Sequence, residues 1–224
     1  MPDVPGPGGQ CVVFSDRADA GRRLGAELAG LGLARPLLVG LARGGVPVAA
    51  SAASVLGADA EVDVGVARKV TRPDRPEAGL GAVAADGEPV WFVAALRALG
   101  LRPEDLAEQV DAERAEARRR EAAYGATWRG RAPGRDVVLV DDGVATGVTA
   151  LAALRAIEAV GPARLVLAAP VIALTTLDRL GSEWGGEVVA VTVPDGFGAV
   201  GDHYDDFGQL SDADVRGALR AREG

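Results

Sequence analysis

The sequence predicts one α/β domain with a mostly parallel sheet that is flanked by helices on both faces. One observation is that strand-like apolar runs alternate with helix-like segments at 36–70 and again at 136–193. Another is the run Val-Val-Leu-Val at 137–140, which is apolar throughout, as in a strand covered on both sides. Because parallel strands are joined by crossover helices, this alternation predicts helices on both faces. The 224 residues suit one such domain with an appendage.

The first part of the chain is predicted to hold a tail, a helix and a βαβ unit. Residues 1–10 contain three prolines and three glycines and cannot bury an apolar face, so we expect a disordered tail. Ser15 is the predicted N-cap of the first helix, since its hydroxyl can accept a hydrogen bond from a helix amide. The predicted elements are helix 16–31, strand 36–42, helix 46–57 and strand 58–70.

The middle of the chain is predicted to carry a loop, a hairpin and a long helix. Residues 71–80 combine two prolines with charges and a glycine, which is typical of a mobile loop. Residues 81–93 read as a hairpin with Asp86-Gly87 at its turn. Pro103 opens a helix to about Tyr124 in which acids and arginines interleave. This pattern favours a solvated, salt-bridged face, with a subunit contact as the alternative.

The alternation of strands and helices resumes near residue 136 and gives way to a different composition after Pro194. The later elements are predicted as strand 136–141, helix 148–160, strand 164–172, a short helix near 174–181 and strand 187–193. The segment that follows is rich in glycine, acids and the scarce aromatic residues. We therefore expect one domain over 11–224, with its core at 35–193, a helical insertion at about 103–124 and a C-terminal hood over 194–224.

Composition bounds the partners of this protein. Its formal charge of −8 and pI near 4.8, without a basic stripe, argue against nucleic acid. Cys11 is the one cysteine in the sequence, so no internal disulfide is expected. The start of the chain lacks a basic stretch followed by a long apolar run, and apolar stretches such as 163–174 are too short to span a bilayer. We expect a cytoplasmic protein whose partners are neither nucleic acid nor membrane.

Residues 137–149 form the most informative segment of the sequence. A buried strand ends in Asp141 and Asp142, a turn of small residues follows, and a helix begins beneath that turn. Amides at a helix N-terminus favour an anion such as a phosphate group. Two carboxylates repel that anion, so they should face hydroxyl groups or a metal ion, and ribose 5-phosphate offers such hydroxyls. The predicted phosphate loop consists of Gly143, Val144, Ala145, Thr146, Gly147, Val148 and Thr149.

The segment VVLVDDGVATGVT resembles the phosphoribosyl pyrophosphate (PRPP) signature of the type I phosphoribosyltransferases. The resemblance implies their fold and transfer of the 5-phosphoribosyl group from PRPP to a nucleobase-type acceptor, with release of pyrophosphate. It implies that Asp141 and Asp142 are catalytic, orienting the ribose hydroxyls and favouring the cationic sugar ring. Mg²⁺ is expected to be held mostly by PRPP, with both aspartates contributing directly or through water. A homo-oligomer is implied, a dimer being the default.

A second anion site is expected where the first predicted strand ends. Arg43, Gly44 and Gly45 resemble the pyrophosphate loop of the family, in which a non-proline cis peptide commonly turns amides toward the ligand. Glycines let the backbone come close to a ligand, and the arginine can grip phosphate oxygens in a fork. In the family, basic residues at the positions of Arg68 and Lys69 reach the leaving pyrophosphate. Lys69 is the one lysine among 24 basic residues, and chance in an arginine-rich sequence is the alternative explanation.

The acceptor is the part of the reaction that the resemblance does not define. Family members that act on 6-oxopurines usually carry an acid where this chain has Ala145, so we expect a nucleobase-type acceptor other than hypoxanthine or guanine. In the hood, Phe197 or Tyr204 could stack on a flat ring, or these aromatics fill a small satellite core. His203, the one histidine, is a candidate acid or base, with a solvated or capping role as the alternative.

Two classes of function stay open, an enzyme and a PRPP-binding regulatory or sensing protein without turnover. Arg43 and Lys69 favour the enzyme, because a sensor need not stabilise a leaving group. The predicted mobile loop at 71–80 also favours it, because in the family the loop at this position closes over the site. A different nucleotide-binding α/β protein is disfavoured. The sequence has neither G-x-G-x-x-G after its first predicted strand nor G-x-x-x-x-G-K-[ST] anywhere.

Overall fold

A computed structural model describes residues 13–72 and 75–221 of the protein, with the backbone alone at 75–78. The predicted tail at 1–10 lies outside the described residues. In chain order the elements of the first half are α1 (Arg17–Ala29), β1 (Leu37–Leu41), α2 (Gly45–Leu56), β2 (Glu61–Gly65), β3 (Ala67–Arg72), β4 (Arg75–Ala84), β5 (Val90–Trp91) and α3 (Val93–Ala98). The second half contains α4 (Ala107–Tyr124), α5 (Trp128–Arg131), β6 (Asp136–Val140), α6 (Val148–Glu158), β7 (Arg164–Val171), α7 (Leu174–Glu183), β8 (Glu187–Thr192) and α8 (Asp212–Arg220).

Five parallel strands form the central sheet in the order β2-β1-β6-β7-β8. The predicted α/β class and parallel sheet are therefore confirmed. All five residues of β1 are buried, as are Val137–Val140 of β6, which explains why both runs are apolar throughout. Gly40 of β1 is the register partner of Val140 of β6, so these two strands end side by side at the carboxyl edge of the sheet. Ligands of such sheets bind at this edge.

Helices cover both faces of the central sheet. On one face, Leu24 and Leu28 of α1 join α2 in a cluster with Val138 and Val140 of β6. On the other face, α6 places Leu154 and its neighbours against alternate residues of the same strands. Alternation along each strand thus divides its side chains between two apolar layers. These layers fix the strand ends that carry the candidate site.

A second, antiparallel sheet with the order β3-β4-β5 corrects two sequence predictions. The predicted strand 58–70 divides at Val66 into β2 and β3, and each half joins a different sheet. The predicted loop 71–80 is strand on both sides of residues 73–74, which lie outside the description. The reason is that β3 and β4 pair from Ala67 with Ala84 to Arg72 with Arg75, which satisfies their backbone groups. The predicted hairpin at 81–93 is confirmed by the antiparallel pairing of β4 with β5.

The long charged segment predicted at 103–124 is helical. Pro103–Leu106 form a 3-10 turn, α4 follows, and Gly125 ends α4 with a φ of 74°. Glu116 forms ion pairs of 2.7 Å with Arg119 and Arg120, in agreement with the predicted salt-bridged face. At α1, however, the N-cap is Asp16 rather than Ser15, because the Asp16 carboxylate accepts a hydrogen bond of 2.7 Å from the Asp19 amide.

The C-terminal segment returns across the carboxyl edge of the sheet. Its 3-10 turn at Val200–His203 leads to Tyr204, which forms a β-bridge with Phe14 near the start of α1. Farther on, α8 packs on α2 and α4, and the Tyr124 hydroxyl donates a hydrogen bond of 2.7 Å to Asp212. Among the described helices, none is long and apolar enough to cross a membrane.

Candidate functional site at the carboxyl edge of the sheet

The loops after β1 and β6 touch each other, and glycine makes their contact possible. A Cβ atom at Gly44 would lie 1.8 Å from Oδ2 of Asp142. A Cβ atom at Gly45 would lie 2.2 Å from the carbonyl oxygen of Val140. A larger residue at Gly44 would displace the Asp142 side chain, and one at Gly45 would displace the backbone at the end of β6. The structure therefore brings together the predicted pyrophosphate loop and the predicted acid pair.

The loop after β1 combines a cis peptide with an arginine that is held by the hood. The peptide bond between Ala42 and Arg43 is cis, as the resemblance implies. Gly44 is the N-cap of α2, so the first amides of that helix open toward the same edge as Asp142. Nη1 of Arg43 donates a hydrogen bond of 2.5 Å to the carbonyl oxygen of Leu210. Amides and a guanidinium in this arrangement can bind an anion.

The two aspartates after β6 are partly buried and have different partners. Oδ1 of Asp141 accepts a hydrogen bond of 2.9 Å from the Asp142 amide, and Oδ2 of Asp142 accepts one of 2.8 Å from Nε of Arg17. Burial, together with the charge of Asp142, raises the pKa of Asp141 well above its usual range. Burial also raises the pKa of Asp142, although the Arg17 guanidinium opposes that shift. Hydrogen-bond donors that enter this site would relieve the cost of keeping both groups charged.

Residues 143–149 form a loop whose backbone is available to an anion. Among the described residues, no acceptor meets the amides of residues 145–149. Gly147 is the N-cap of α6 and has a φ of 73°, a conformation that favours glycine. The loop carbonyls are braced by α7, because the Thr176 hydroxyl donates to the Ala145 oxygen at 2.5 Å and Arg179 donates to the Thr146 oxygen at 3.3 Å. Free amides and braced carbonyls suit a phosphate group.

Arg68 and Lys69 project differently from β3, as neighbours on a strand do. Nε of Arg68 donates a hydrogen bond of 2.7 Å to Glu113 of α4, which ties this side chain to the helical insertion. Lys69 is exposed, and its Cδ would lie 3.8 Å from a Cβ at Gly79 on the neighbouring strand. Within the described part of the chain, the structure shows no contact of either residue with Asp141, Asp142 or the loop at Arg43.

The aromatic residues of the hood pack mainly on one another. Phe197 stacks on the buried His203, with 5.5 Å between ring centroids. Tyr204 is 7% exposed, and its ring contacts Phe14 at 5.3 Å and Phe207 at 4.9 Å. The Tyr204 hydroxyl donates a hydrogen bond of 2.6 Å to the carbonyl oxygen of Asp142. Burial raises the pKa of Tyr204, and the charge of Asp142 adds to that shift, so the hydroxyl stays protonated as a donor. The satellite core, one of the two alternatives for these aromatics, is present, and contact with an acceptor stays a prediction.

Sequence reasoning missed Arg17 and Phe207, which complete the wall of the site. The Arg17 guanidinium lies 3.9 Å from the Phe207 ring centroid, and its Nη1 donates a hydrogen bond of 2.9 Å to the Gly208 oxygen. A cavity of about 450 Å³ opens beside them, lined by Arg17, Arg43, Gly44, Phe207, Gly208, Gln209 and Leu210. One local signal was present, since an arginine in the first turn of a helix stands at the end that disfavours cations.

A larger cavity lies on another side of the phosphate loop. Its volume is about 610 Å³, and it is lined by residues 89–95 together with Arg155, Arg179 and Glu183. Of its lining residues, Arg179 donates a hydrogen bond to the Thr146 oxygen of the phosphate loop, and its guanidinium lies 4.3 Å from the Phe92 ring centroid. Arg43 and Gly44 line the smaller cavity and not this one, so the candidate site is the smaller cavity with its adjoining loops.

The donor set of the site suits a magnesium ion that arrives with its ligand. Among the described residues, no group of three or more His, Cys, Asp or Glu side chains could hold a metal ion. Asp141 and Asp142 offer carboxylate oxygens, which Mg²⁺ prefers, but two side chains are too few for a cage made by the protein alone. The residues therefore fit a metal whose remaining positions are filled by phosphate oxygens and water.

Comparisons with known proteins agree with this geometry. A family model of the phosphoribosyl transferase domain matches residues 15–183. Two curated proteins of Mycobacterium tuberculosis, from strains CDC 1551 / Oshkosh and ATCC 25618 / H37Rv, are each named "Putative phosphoribosyl transferase" and are 38% identical to this chain over 205 residues. The match covers 91% of this chain and 45% of each relative, so the chain spans about half the length of the curated relatives it matches.

A solved structure is also similar to this chain over nearly its whole length. The crystal structure of TT1426 from Thermus thermophilus is 42% identical in sequence, with a TM-score of 0.75, and the alignment covers 95% of this chain and 100% of that one. The family model spans well over half of this chain and includes both strand-end loops. On these findings, together with the PRPP signature at 137–149, the chain belongs to the phosphoribosyl transferase domain family, the type I phosphoribosyltransferases.

Proposed function

We propose that this protein is an enzyme that transfers the 5-phosphoribosyl group from PRPP to a nucleobase-type acceptor and releases pyrophosphate. The observation that carries the proposal is the contact between two anion-binding loops at one edge. The amides of 145–149, which meet no acceptor among the described residues, follow Asp141 and Asp142 in the chain, and the Arg43-Gly44-Gly45 loop touches Asp142. PRPP carries a phosphate at C5 and a pyrophosphate at C1 of a ribose that bears hydroxyls, which matches two anion-binding loops beside an acid pair.

In this proposal the loop 143–149 binds the 5-phosphate through the amides of residues 145–149, because the Val144 amide already donates a hydrogen bond of 2.9 Å to the Val171 oxygen. Asp141 and Asp142 accept hydrogen bonds from the ribose hydroxyls. Arg43, Gly44 and Gly45 bind the pyrophosphate group, and Lys69 reaches it from β3. Arg68 joins them only after it leaves Glu113, to which it is bound at 2.7 Å. The contacts of Arg43, Gly44, Gly45 and Lys69 with pyrophosphate strengthen as negative charge develops on that leaving group.

The proposed reaction breaks the bond between C1 of the ribose and the pyrophosphate oxygen. The electron pair leaves with pyrophosphate, and the sugar passes through an oxocarbenium-like state that both aspartates favour electrostatically. An acceptor nitrogen then forms the new bond at C1 and loses a proton. Mg²⁺ held by the ligand, with Asp141 and Asp142 contributing directly or through water, would neutralise part of the charge on the leaving group. Arg43 and Lys69 would neutralise the rest.

For the acceptor we propose a base other than hypoxanthine or guanine, because Ala145 has no group that can exchange a proton with a purine ring. Ala145 is exposed on the phosphate loop. Phe197 and Tyr204 are the proposed acceptor contacts of the hood. Tyr204 would have to separate from Phe14 or Phe207 to present a ring face. Turnover of hypoxanthine or guanine at the rate of the best base in a panel would contradict this choice.

The decisive experiment is calorimetric titration of PRPP, with and without Mg²⁺, into the native protein and the Asp141→Asn/Asp142→Asn variant. We expect magnesium-dependent binding in the native protein. The double variant should lose it, since each charged hydrogen bond contributes about 1.5–3 kcal/mol. The matched control is Asp59→Asn/Asp178→Asn, which removes two exposed carboxylates outside the site and should bind PRPP as the native protein does.

A screen for pyrophosphate release separates the enzyme from a PRPP sensor. The native protein is incubated with Mg²⁺, PRPP and one base at a time, and pyrophosphate is measured. Release with at least one base supports the transferase. Binding that is lost in the double variant, without release for any base in a broad panel, would favour the regulatory alternative. Failure of the native protein to bind PRPP would overturn both.

Several organisational features belong to the same proposal. We place a single domain at 11–224, with a core at 35–193, the helical insertion at 103–124 and the hood at 194–224. A homodimer is the proposed assembly in the cytoplasm, with PRPP and a base as its small-molecule partners. Sedimentation should give about twice the mass of one chain, which is 22.8 kDa.

A further inference from the structure

Arg17 occupies a position that the dipole of its own helix disfavours. It is the first residue of α1, where the amide end of the helix repels cations. The nearby acid Asp19 pairs with Arg22 and Arg23 instead, at 3.8 and 3.0 Å. The Arg17 side chain is only 13% exposed and lies against Asp142, which is 125 positions away in the sequence. An arginine at this location therefore gains its stabilisation from the site and not from α1.

The guanidinium of Arg17 is held in one orientation with donors to spare. Nε bonds to Asp142, Nη1 bonds to the Gly208 oxygen, and the plane lies 3.9 Å from the Phe207 ring centroid. Within the described residues no hydrogen bond of Nη2 is found, so both of its N–H groups and the second one of Nη1 remain available. Arg17 also lines the cavity of about 450 Å³ that Arg43 and Gly44 line. The guanidinium groups of Arg17 and Arg43 thus line the same cavity, beside Gly44.

We propose that Arg17 is a further anion-binding residue of the site, which grips the pyrophosphate group together with Arg43 and holds Asp142 until the ligand arrives. This inference rests on the proposed function, because it assumes that a diphosphate enters this cavity. In the free protein Arg17 neutralises one of two adjacent carboxylates. When PRPP binds, its hydroxyls meet Asp142, and the remaining N–H groups of Arg17 bond to diphosphate oxygens. Planar guanidinium groups suit this bidentate contact.

The alternative is that Arg17 only ties α1 to the end of β6. A structural tie predicts that loss of the guanidinium weakens folding and affects every ligand of the site alike. A pyrophosphate contact predicts a selective loss, because the 5-phosphate loop at 143–149 is braced by α7 and has no contact with Arg17 among the described residues. Pyrophosphate and ribose 5-phosphate, titrated separately, distinguish the two roles.

The test compares Arg17→Gln and Arg17→Lys with the control Arg22→Gln by calorimetry, using pyrophosphate, ribose 5-phosphate and PRPP, each with Mg²⁺. Arg22 is on the same helix, is 58% exposed and lies outside the cavity. We expect Arg17→Gln to weaken pyrophosphate and PRPP binding by roughly tenfold or more, while ribose 5-phosphate binding changes by less than about twofold. The affinity of Arg17→Lys for pyrophosphate and PRPP should lie between those of Arg17→Gln and the native protein, because lysine keeps the positive charge but lacks the bidentate guanidinium. Arg22→Gln should match the native protein.

Each outcome decides the inference. Unchanged pyrophosphate affinity in Arg17→Gln overturns it. An equal loss for pyrophosphate and ribose 5-phosphate, accompanied by a lower melting temperature, also overturns it in favour of the structural tie. If Arg17→Gln fails to fold, Arg17→Lys decides by the same selectivity. Native protein that binds neither PRPP nor pyrophosphate overturns the proposed function itself, whereas native binding of pyrophosphate that Arg17→Gln retains overturns only the role of Arg17.

Discussion

The candidate site has two halves that are built by different means. The strand-end half consists of the loops after β1 and β6 and offers mainly backbone. Its glycines allow the loops to touch, and its amides at 145–149 meet no acceptor in the part of the chain that the structure describes. The chain-end half consists of the start of α1 and the segment 204–210, and it acts through side chains. Arg17 and Tyr204 reach the side chain and the carbonyl oxygen of Asp142 from opposite ends of the chain.

The difference lies in what each half can do for a ligand. Backbone amides are fixed by the sheet and by helix starts, so the strand-end half is preorganised and insensitive to most changes of side chain. Side chains of the chain-end half can gain or exchange partners, as Arg17 does in our proposal when its remaining N–H groups bond to the diphosphate. We infer that the strand-end half determines which groups bind, and the chain-end half adjusts how tightly they are held.

Among changes to the strand-end half, substitution of Gly45 should cause the largest loss of stability and PRPP binding. In Gly45→Ala the new Cβ would lie 2.2 Å from the Val140 oxygen and 3.0 Å from Cα of Asp141, both of them backbone atoms of the β6 strand end. We expect the free energy of unfolding to fall by about 3 kcal/mol, and PRPP binding to fall below detection, because the acid pair is displaced. Urea denaturation and calorimetry measure the two effects.

Gly217→Ala is the matched control for Gly45→Ala. Gly217 lies within α8, and a Cβ there would meet nothing within 4 Å. Its helix should become more stable, with a gain of about 0.5–1 kcal/mol and no change in PRPP binding. Native stability and native PRPP affinity in Gly45→Ala would show that close contact of the two strand-end loops is not needed.

Asp141→Asn tests the electrostatic cost of the acid pair. The pKa of Asp141 is raised in the folded protein by burial and by Asp142, so the ionised carboxylate destabilises the fold at pH values above that raised pKa. The neutral variant should therefore melt at a higher temperature at pH 8. This gain should disappear as the pH falls to about 4, near the pKa of the unfolded state, where the native carboxyl is largely protonated as well. PRPP affinity should fall by about 1.5–3 kcal/mol, the value of a charged hydrogen bond.

Thermal melts at both pH values and calorimetry at pH 8 check this prediction. Asp59→Asn provides the control, since Asp59 is exposed outside the site and its replacement should change neither quantity. An Asp141→Asn variant that loses the same stability at pH 4 and pH 8 would mean that the carboxylate supports the fold through its hydrogen bond with the Asp142 amide. The strand-end half would then carry no electrostatic cost.

The two halves also differ in how far the sequence predicts them. The strand, the acid pair, the turn and the start of α6 follow one another within residues 137–149, so local patterns predict them, and α6 begins at Val148 as expected. The loop at Arg43 is also contiguous, but its Arg-Gly-Gly pattern is a weak signal alone, and its pyrophosphate role is what the resemblance implies. The chain-end contacts join residues that are 125 and 62 positions apart, and no local period encodes such pairs. The hairpin of β3 and β4 was missed similarly, because its prolines and charges are loop-like, whereas its strand pairing is a tertiary property.

The chain-end half offers the smallest and sharpest test, Tyr204→Phe, which removes one hydroxyl and keeps the ring. Tyr124→Phe is its match, because both tyrosines are 7% exposed and each donates one hydrogen bond, to the Asp142 oxygen at 2.6 Å and to Asp212 at 2.7 Å. Each variant should lose about 0.5–1.5 kcal/mol of stability in urea denaturation. Only Tyr204→Phe should also weaken PRPP binding, by about threefold, since it alone frees the backbone that carries the acid pair. Equal PRPP affinity in the two variants would limit Tyr204 to the satellite core, and Arg17 would then be the one side chain through which the chain ends act on the site.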